Sequence, residues 1–304
     1  MPDIHRADGF VPRHDDKTRY EDKIGMPRLR AVARLIQRLD FIKISQRFYY
    51  YLLSATFADM ANQKPGLFTS LSPALLHLYD LNNAIVVIID VFRATSTITT
   101  ALFNGAKCVI PVDSVAKCIE LGKQIDSITA GERDGKIAEG LKFGNSPFEY
   151  PKEFVGGKTL VLTTTNGTKL LHMALDKGAG QIITGSFPNI SAVCDYLLSQ
   201  NLPVILGCAA WKDKVNIEDL LFAGAVINRI KNEFSINCDS SQIAESIYLQ
   251  AKNDLYAFIK EKNASHYHRL ANYGLEKDMQ YCLSADVANV LPFYEDGKLV
   301  VHNR

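Results

Sequence analysis

The sequence predicts a three-layer α/β protein built on a mostly parallel sheet. Three observations carry that expectation. Continuous apolar, β-branched runs such as residues 84–89 read as strands covered on both faces. Helical patterns separate these runs and stop at glycines such as Gly105 and Gly178. The loops where strands pass into helices collect hydroxyl, amide and glycine residues, as expected at the ligand-binding edge of an open α/β sheet. Strands alternating with helices form βαβ units.

The elements follow in chain order. Residues 1–67 carry twelve basic and eight acidic side chains, and Leu29, Val32, Leu35, Ile36, Leu39 and Ile42 fall at helical spacing among arginines. They are expected to form a basic, partly helical extension, with one main domain over residues 68–304. In that domain strands are expected at 84–89, 108–110, 159–162, 181–183 and 203–206. Helices are expected at 96–104, 168–177, 190–199 and 217–231, and the stretch 239–269 reads as one long helix. Residues 290–293 and 299–301, around Glu295-Asp296-Gly297, read as a closing hairpin.

Composition excludes several classes. Of 304 residues, 47% are apolar and 22% charged, with net charge +1, which is globular rather than disordered. The lack of a basic excess argues against nucleic acid as a partner. No apolar run reaches the ~18 residues of a membrane span, and the first residues lack the apolar core of a secretory leader. The six cysteines form no CxxC pair, which fits a reducing cytoplasm. A homo-oligomer is left open.

Chemistry collects in the strand-end loops. They run from Asp90 through Val91, Phe92, Arg93, Ala94, Thr95 and Ser96 to Thr97, over 163–168, over 185–189 and over 207–210. Such loops offer amides and hydroxyls to an anion, with phosphate the obvious candidate. Thr95, Ser96, Asn166 and Asn189 also suit plain helix caps. Asp90 closes an apolar run with Arg93 three residues on; the carboxylate could hold Mg²⁺ or attack phosphorus, and the guanidinium could pair with an oxyanion. Gly131-Glu132-Arg133-Asp134-Gly135 and Gly144-Asn145-Ser146-Pro147 add two polar turns. Glu218 and Asp219 open a helix, where acids either ligate a metal or complement the helix dipole. Cys208 is the thiol to watch. His266 and His268 read as surface or capping residues. Walker A, GxGxxG and GxSxG motifs are absent.

Together these motifs, from Asp90 to Glu218-Asp219, resemble the 2-phosphosulfolactate phosphatase (ComB) family over residues 67–300. The resemblance implies an α/β/α fold with a cleft between two similar halves. It implies Mg²⁺-dependent hydrolysis of (2R)-2-phospho-3-sulfolactate to (2R)-3-sulfolactate and phosphate, a step of coenzyme M biosynthesis. Carried over, it makes Asp90, Arg93 and Glu132 catalytic and Asp90, Glu218 and Asp219 metal ligands. Thr95, Ser96, Arg133, Asn145, Ser146, Thr165, Asn166, Gly167, Thr168, Ser186 and Cys208 would bind the small anionic, phosphorylated substrate. Ala210 stands where a Cys-Ala-Gly triplet is usual, which places alanine where glycine's freedom is expected. The rival readings are a phosphatase for another 2-phospho-hydroxy acid and a non-catalytic binder of phosphorylated metabolites.

Overall fold

A computed structural model describes residues 64–302. The extension expected over residues 1–67 lies outside the described residues up to residue 63. Ten strands form one mixed sheet: β1 (Leu67–Ser70), β2 (Ile85–Ile89), β3 (Cys108–Val112), β4 (Ile128–Arg133), β5 (Lys136–Ile137), β6 (Thr159–Thr163), β7 (Gln181–Gly185), β8 (Val204–Cys208), β9 (Pro292–Glu295) and β10 (Lys298–Val301). The helices are α1 (Ala94–Phe103), α2 (Val115–Ile125), α3 (Lys152–Val155), α4 (Gly167–Asp176), α5 (Ile190–Ser199) and α6 (Ile217–Ile230). Four more close the chain: α7 (Asp239–Ala251), α8 (Leu255–Glu261), α9 (Ser265–Ala271) and α10 (Glu276–Cys282). None is long and apolar enough to cross a membrane.

Side-chain alternation along β2 builds the layers. Ile85, Val87 and Ile89 join one core cluster with α5 and α6, while Val86 and Ile88 join another with Leu170, Leu171 and Ala174 of α4. The other half repeats the scheme. Ile98, Ala101 and Leu102 of α1 pack with Leu160 and Leu162, and Cys118 of α2 packs with Val112 and Val161. Helices thus cover both faces, as the apolar β-branched strands require.

The strand order is β1-β8-β2-β7-β9-β10-β3-β6-β4-β5. It contains two parallel blocks, β1-β8-β2-β7 and β3-β6-β4, joined by the expected C-terminal hairpin β9–β10. Because β7–β9, β9–β10 and β10–β3 are all antiparallel, the second block runs opposite to the first. A flat sheet would therefore place their strand ends at opposite edges. Five steps separate β2 from β6, and sheet twist over that distance accumulates to roughly 100–125°. The blocks turn toward each other, and a Cβ on Gly167, just after β6, would lie 2.9 Å from Asp90 Oδ2, just after β2.

The C-terminal region corrects one expectation. The stretch 239–269 is three helices, not one. Asp254 caps α8 by accepting the Ala257 N–H at 2.8 Å, and Asn263 takes φ 48° before α9 begins. Strands β1, β4 and β5 and helices α2, α3 and α10, for which the sequence carried no expectation, complete the fold.

Helices α6 and α7 meet at Gly224, where an added Cβ would lie 2.1 Å from the Ala244 carbonyl oxygen. That contact is backbone and cannot swing aside. Gly224→Ala is expected to cost roughly 3 kcal/mol by overpacking, read as a lowered midpoint in urea unfolding with unchanged slope.

Candidate active site

The site grows from the end of β2. Asp90 donates its N–H to Thr95 Oγ1 at 3.2 Å, and the same hydroxyl donates to the Asp90 carbonyl at 2.9 Å. Ser96 Oγ donates to the Val91 carbonyl at 2.9 Å. These bonds hold residues 90–93 in a tight loop, so Thr95 and Ser96 position the site rather than line it. Arg93 is buried. Its Nη1 lies 2.5 Å from Asp278 Oδ2 on α10, and its Nη2 donates to the Gly135 carbonyl at 3.2 Å.

Asp219 and Glu218, in the first turn of α6, have different partners. Asp219 Oδ1 accepts the Val91 N–H at 2.9 Å, and Oδ2 accepts the Ala210 N–H at 3.2 Å. One buried carboxylate therefore fastens the loop after β2 to the loop after β8. Ala210 takes φ 57°, a conformation that costs a non-glycine residue about 1 kcal/mol. Glu218 is fully buried, and its Oε1 lies 2.6 Å from Nδ1 of His266 on α9. Its Oε2 has no hydrogen-bond partner.

The second block supplies the opposite wall. Glu132 accepts the Thr165 N–H through Oε1 at 3.0 Å and the Gly135 N–H through Oε2 at 2.9 Å. Thr97 Oγ1 donates to the Asn145 carbonyl at 3.0 Å, which ties α1 to the Asn145 turn. The resulting cleft is lined by Asp90, Arg93, Glu132, Asn145, Thr165 and Asn166, all expected from the sequence. Its remaining lining includes Phe92, Asp134, Gly135, Trp211, His266, Arg269 and Leu270. Asn145 Oδ1 and Thr165 Oγ1 are buried without partners on these walls.

Acids crowd the floor. Burial pushes the Asp90 carboxyl up to about 6, with Glu132 and Glu218 adding to the rise and His266 and the Ala94 amide opposing it. Burial also drives Asp219 well above the carboxylate range, reinforced by Glu218 and Asp90 against its two amide donors. The Cys208 thiol is pushed up by burial, then by Asp219 and Glu218, so it stays a neutral core group.

Other expected substrate contacts have local duties away from the lining. Arg133 donates to the Glu132 carbonyl at 2.6 Å and to Thr163 Oγ1 at 3.1 Å. Ser146 Oγ accepts the Phe148 N–H at 3.3 Å, and Thr168 Oγ1 lies 3.1 Å from Thr164 Oγ1. Ser186 is buried and bonded to Asn189, and Cys208 is fully buried in the core. Gly167 contributes closeness: any side chain there would strike Asp90. His266 corrects the surface assignment made for the pair, which holds only for the exposed His268. The missed signal was spacing, since His266 and Arg269 lie at i and i+3 on one helical face.

A family model described as 2-phosphosulpholactate phosphatase matches residues 70–297. A probable 2-phosphosulfolactate phosphatase of Caldanaerobacter subterraneus subsp. tengcongensis is 40% identical over 222 residues, covering 72% of this chain and 90% of its own. One of the same name from Thermotoga petrophila is 39% identical over 216 residues, covering 71% and 91%. The Clostridium acetobutylicum relative, also so named, is 36% identical over 224 residues, covering 72% and 93%. The chain belongs to the 2-phosphosulfolactate phosphatase family. It is a family of phosphoric monoester hydrolases, and the stretch matched to 2-phosphosulfolactate phosphatase contains every residue lining the cleft.

One outcome follows from the buried Asp90 carboxylate and one from the Ala210 backbone. An acid whose native value is raised from 3.8 to about 6 favours the folded state below that window and loses this advantage as pH rises through it. In EDTA, Asp90→Asn is expected to gain on wild type by up to roughly 3 kcal/mol above pH ~6 and by almost nothing near pH ~4; denaturant unfolding across pH measures it. Ala210→Gly relieves the positive φ and is expected to add about 0.5–1 kcal/mol, read as a raised thermal midpoint.

Proposed function

We propose that this protein hydrolyses the phosphate ester of (2R)-2-phospho-3-sulfolactate to (2R)-3-sulfolactate and phosphate, with Mg²⁺ as its cofactor. One observation carries the reading. A cleft brings together a buried carboxylate met by the Ala94 amide (Asp90), an anchored arginine (Arg93) and a histidine backed by a buried carboxylate (His266 with Glu218). That set suits cleavage of a phosphate monoester better than redox or acyl chemistry.

The donors left over fit a hard cation. Asp90 and the unpartnered Glu218 Oε2 would be the oxygen ligands, whereas both oxygens of Asp219 already accept amides. Among the described residues no group of three or more His, Cys, Asp or Glu side chains forms a closed metal cage. Mg²⁺ characteristically uses one or two carboxylates and fills its remaining positions with water and substrate phosphate. When bound, the ion would offset the repulsion among these carboxylates and polarise the phosphoryl oxygens.

The protein's own groups supply the rest. Arg93, fixed by Asp278 and the Gly135 carbonyl, keeps positive charge beside the phosphoryl position. Glu218 holds Nδ1 of His266 and so leaves Nε2 to deliver a proton to the departing ester oxygen. Six free cysteines, five of them buried, suit a reducing, cytoplasmic setting.

Wild type with Mg²⁺ is expected to release phosphate from 2-phospho-3-sulfolactate, and excess EDTA to abolish release. Folded Asp90→Asn should lose at least about a hundredfold in kcat; near-wild-type turnover would remove Asp90 from the chemistry. For His266→Gln, kcat should fall by roughly 10²–10⁴ on the alkyl ester but far less on p-nitrophenyl phosphate, whose leaving group needs no proton. Equal losses on both esters would deny His266 the proton-donor role.

A further inference from the structure

Arginines at the cleft have unequal freedom. Arg93 is committed to Asp278 and the Gly135 carbonyl, and Arg133 to the Glu132 carbonyl and Thr163, away from the lining. Arg269 is half-buried in the cleft wall, and among the described residues its guanidinium makes no hydrogen bond or ion pair. It stacks on Trp211, with the guanidinium carbon 3.8 Å from the ring centroid. The ring itself is set by a tight turn in which Trp211 and Lys214 exchange backbone hydrogen bonds at 2.9 and 3.0 Å.

Stacking occupies only the flat face of a guanidinium. The in-plane N–H fork stays free, and a fork of fixed orientation suits bidentate capture of an oxyanion. A polar cation taken partly out of water without a counter-ion is costly, and burial indeed lowers the Arg269 pKa against the pull of Glu218, Asp134 and Glu132. An incoming anion would remove that cost.

Position says which anion. Arg269 lies three residues after His266 on α9, so the two side chains share a face about one turn, or ~5 Å, apart. With His266 at the leaving oxygen, a group held by Arg269 sits a few bonds along the carbon skeleton from that oxygen. We infer that Arg269, stacked on Trp211, binds a second oxyanion of the substrate, a carboxylate or sulfonate carried near the phosphate ester, and so selects phosphorylated acids over simple phosphate esters. This rests on the phosphatase reading above and assigns a residue to its substrate preference.

Trp211 is the protein's single tryptophan, so its fluorescence reports on this position directly. The protein is titrated with 3-sulfolactate, which carries the second anions alone, and with inorganic phosphate, each followed by Trp211 emission and by calorimetry. Arg269→Met should weaken 3-sulfolactate by at least about tenfold and phosphate by less than about threefold. Arg269→Lys, which keeps charge but loses the stacked fork, should fall between. Lactate and 2-hydroxyethanesulfonate carry one group each, and the one that loses more affinity in Arg269→Met is the group held. Equal weakening of phosphate and 3-sulfolactate, no weakening of either, or no binding of 3-sulfolactate to wild type would overturn the assignment. Failure of wild type to release phosphate from 2-phospho-3-sulfolactate would instead overturn the phosphatase reading, and the contrast between 3-sulfolactate and phosphate would still judge Arg269.

Discussion

Three carboxylates, Asp90, Glu218 and Asp219, share one buried end of the sheet, and their mutual repulsion is the constraint around which the site is arranged. Buried charges persist only when each has something to meet. Asp219 meets two backbone amides and becomes a clamp between the loops after β2 and β8. Glu218 meets an imidazole and becomes its holder. Asp90 meets the Ala94 amide and opens onto the cleft, which makes it the carboxylate the proposed chemistry draws on. The left-handed backbone at Ala210 is part of the same arrangement, because that conformation presents its N–H to Asp219.

Bringing the second wall to Asp90 is a problem of topology. The two parallel blocks run in opposite directions, and only the inserted hairpin β9–β10 makes them one sheet. Twist carries the end of β6 back over the end of β2, and the absence of a side chain at Gly167 permits the final approach. Cross-ties then lock the halves. Arg93 reaches from the first block to both Asp278 on α10 and the turn after β4, while Glu132 accepts amides from two loops of the second block. Arg93 and Glu132 thus hold the cleft together while lining it.

Sequence patterning reached the parts of this structure where one chain segment suffices. The β2 run and its closing Asp90 were legible because a carboxylate directly after five apolar residues marks the point where a buried strand meets a polar edge. Glu132 was legible as part of an acid–base cluster between glycines, Asn145 as part of a polar turn and Thr165 as part of a loop after a strand, whereas the strand β4 that carries Glu132 was not. Which member of a turn faces the cleft was not, since Glu132 and its neighbour Arg133 are separated by side-chain alternation that only the β4–β5 pairing reveals. His266, Arg269 and Trp211 stayed hidden for a different reason. Their meeting depends on the chain breaking at Asn263 to start α9, and propensity alone read that region as continuous helix. The opposed direction of the two blocks was equally out of reach, because a hairpin's partners lie far away in sequence.

The division of labour in the cleft follows from this architecture. Acidic groups come from strand ends and the start of α6, whose positions are fixed by the buried sheet and by backbone hydrogen bonds. His266 and Arg269, the latter without an ion pair among the described residues, come from α9, a seven-residue helix. The strand-end groups are therefore placed by the buried sheet, whereas His266 and Arg269 are placed by α9. A substitution at Arg269 perturbs one aromatic stack, whereas Leu270 of the same helix is buried in the core. On the reading proposed for Arg269, recognition of the substrate's remaining charges can change apart from the chemistry, and a protein of net charge +1 can grip a polyanion by aiming a guanidinium that has no ion pair among the described residues rather than by accumulating positive charge.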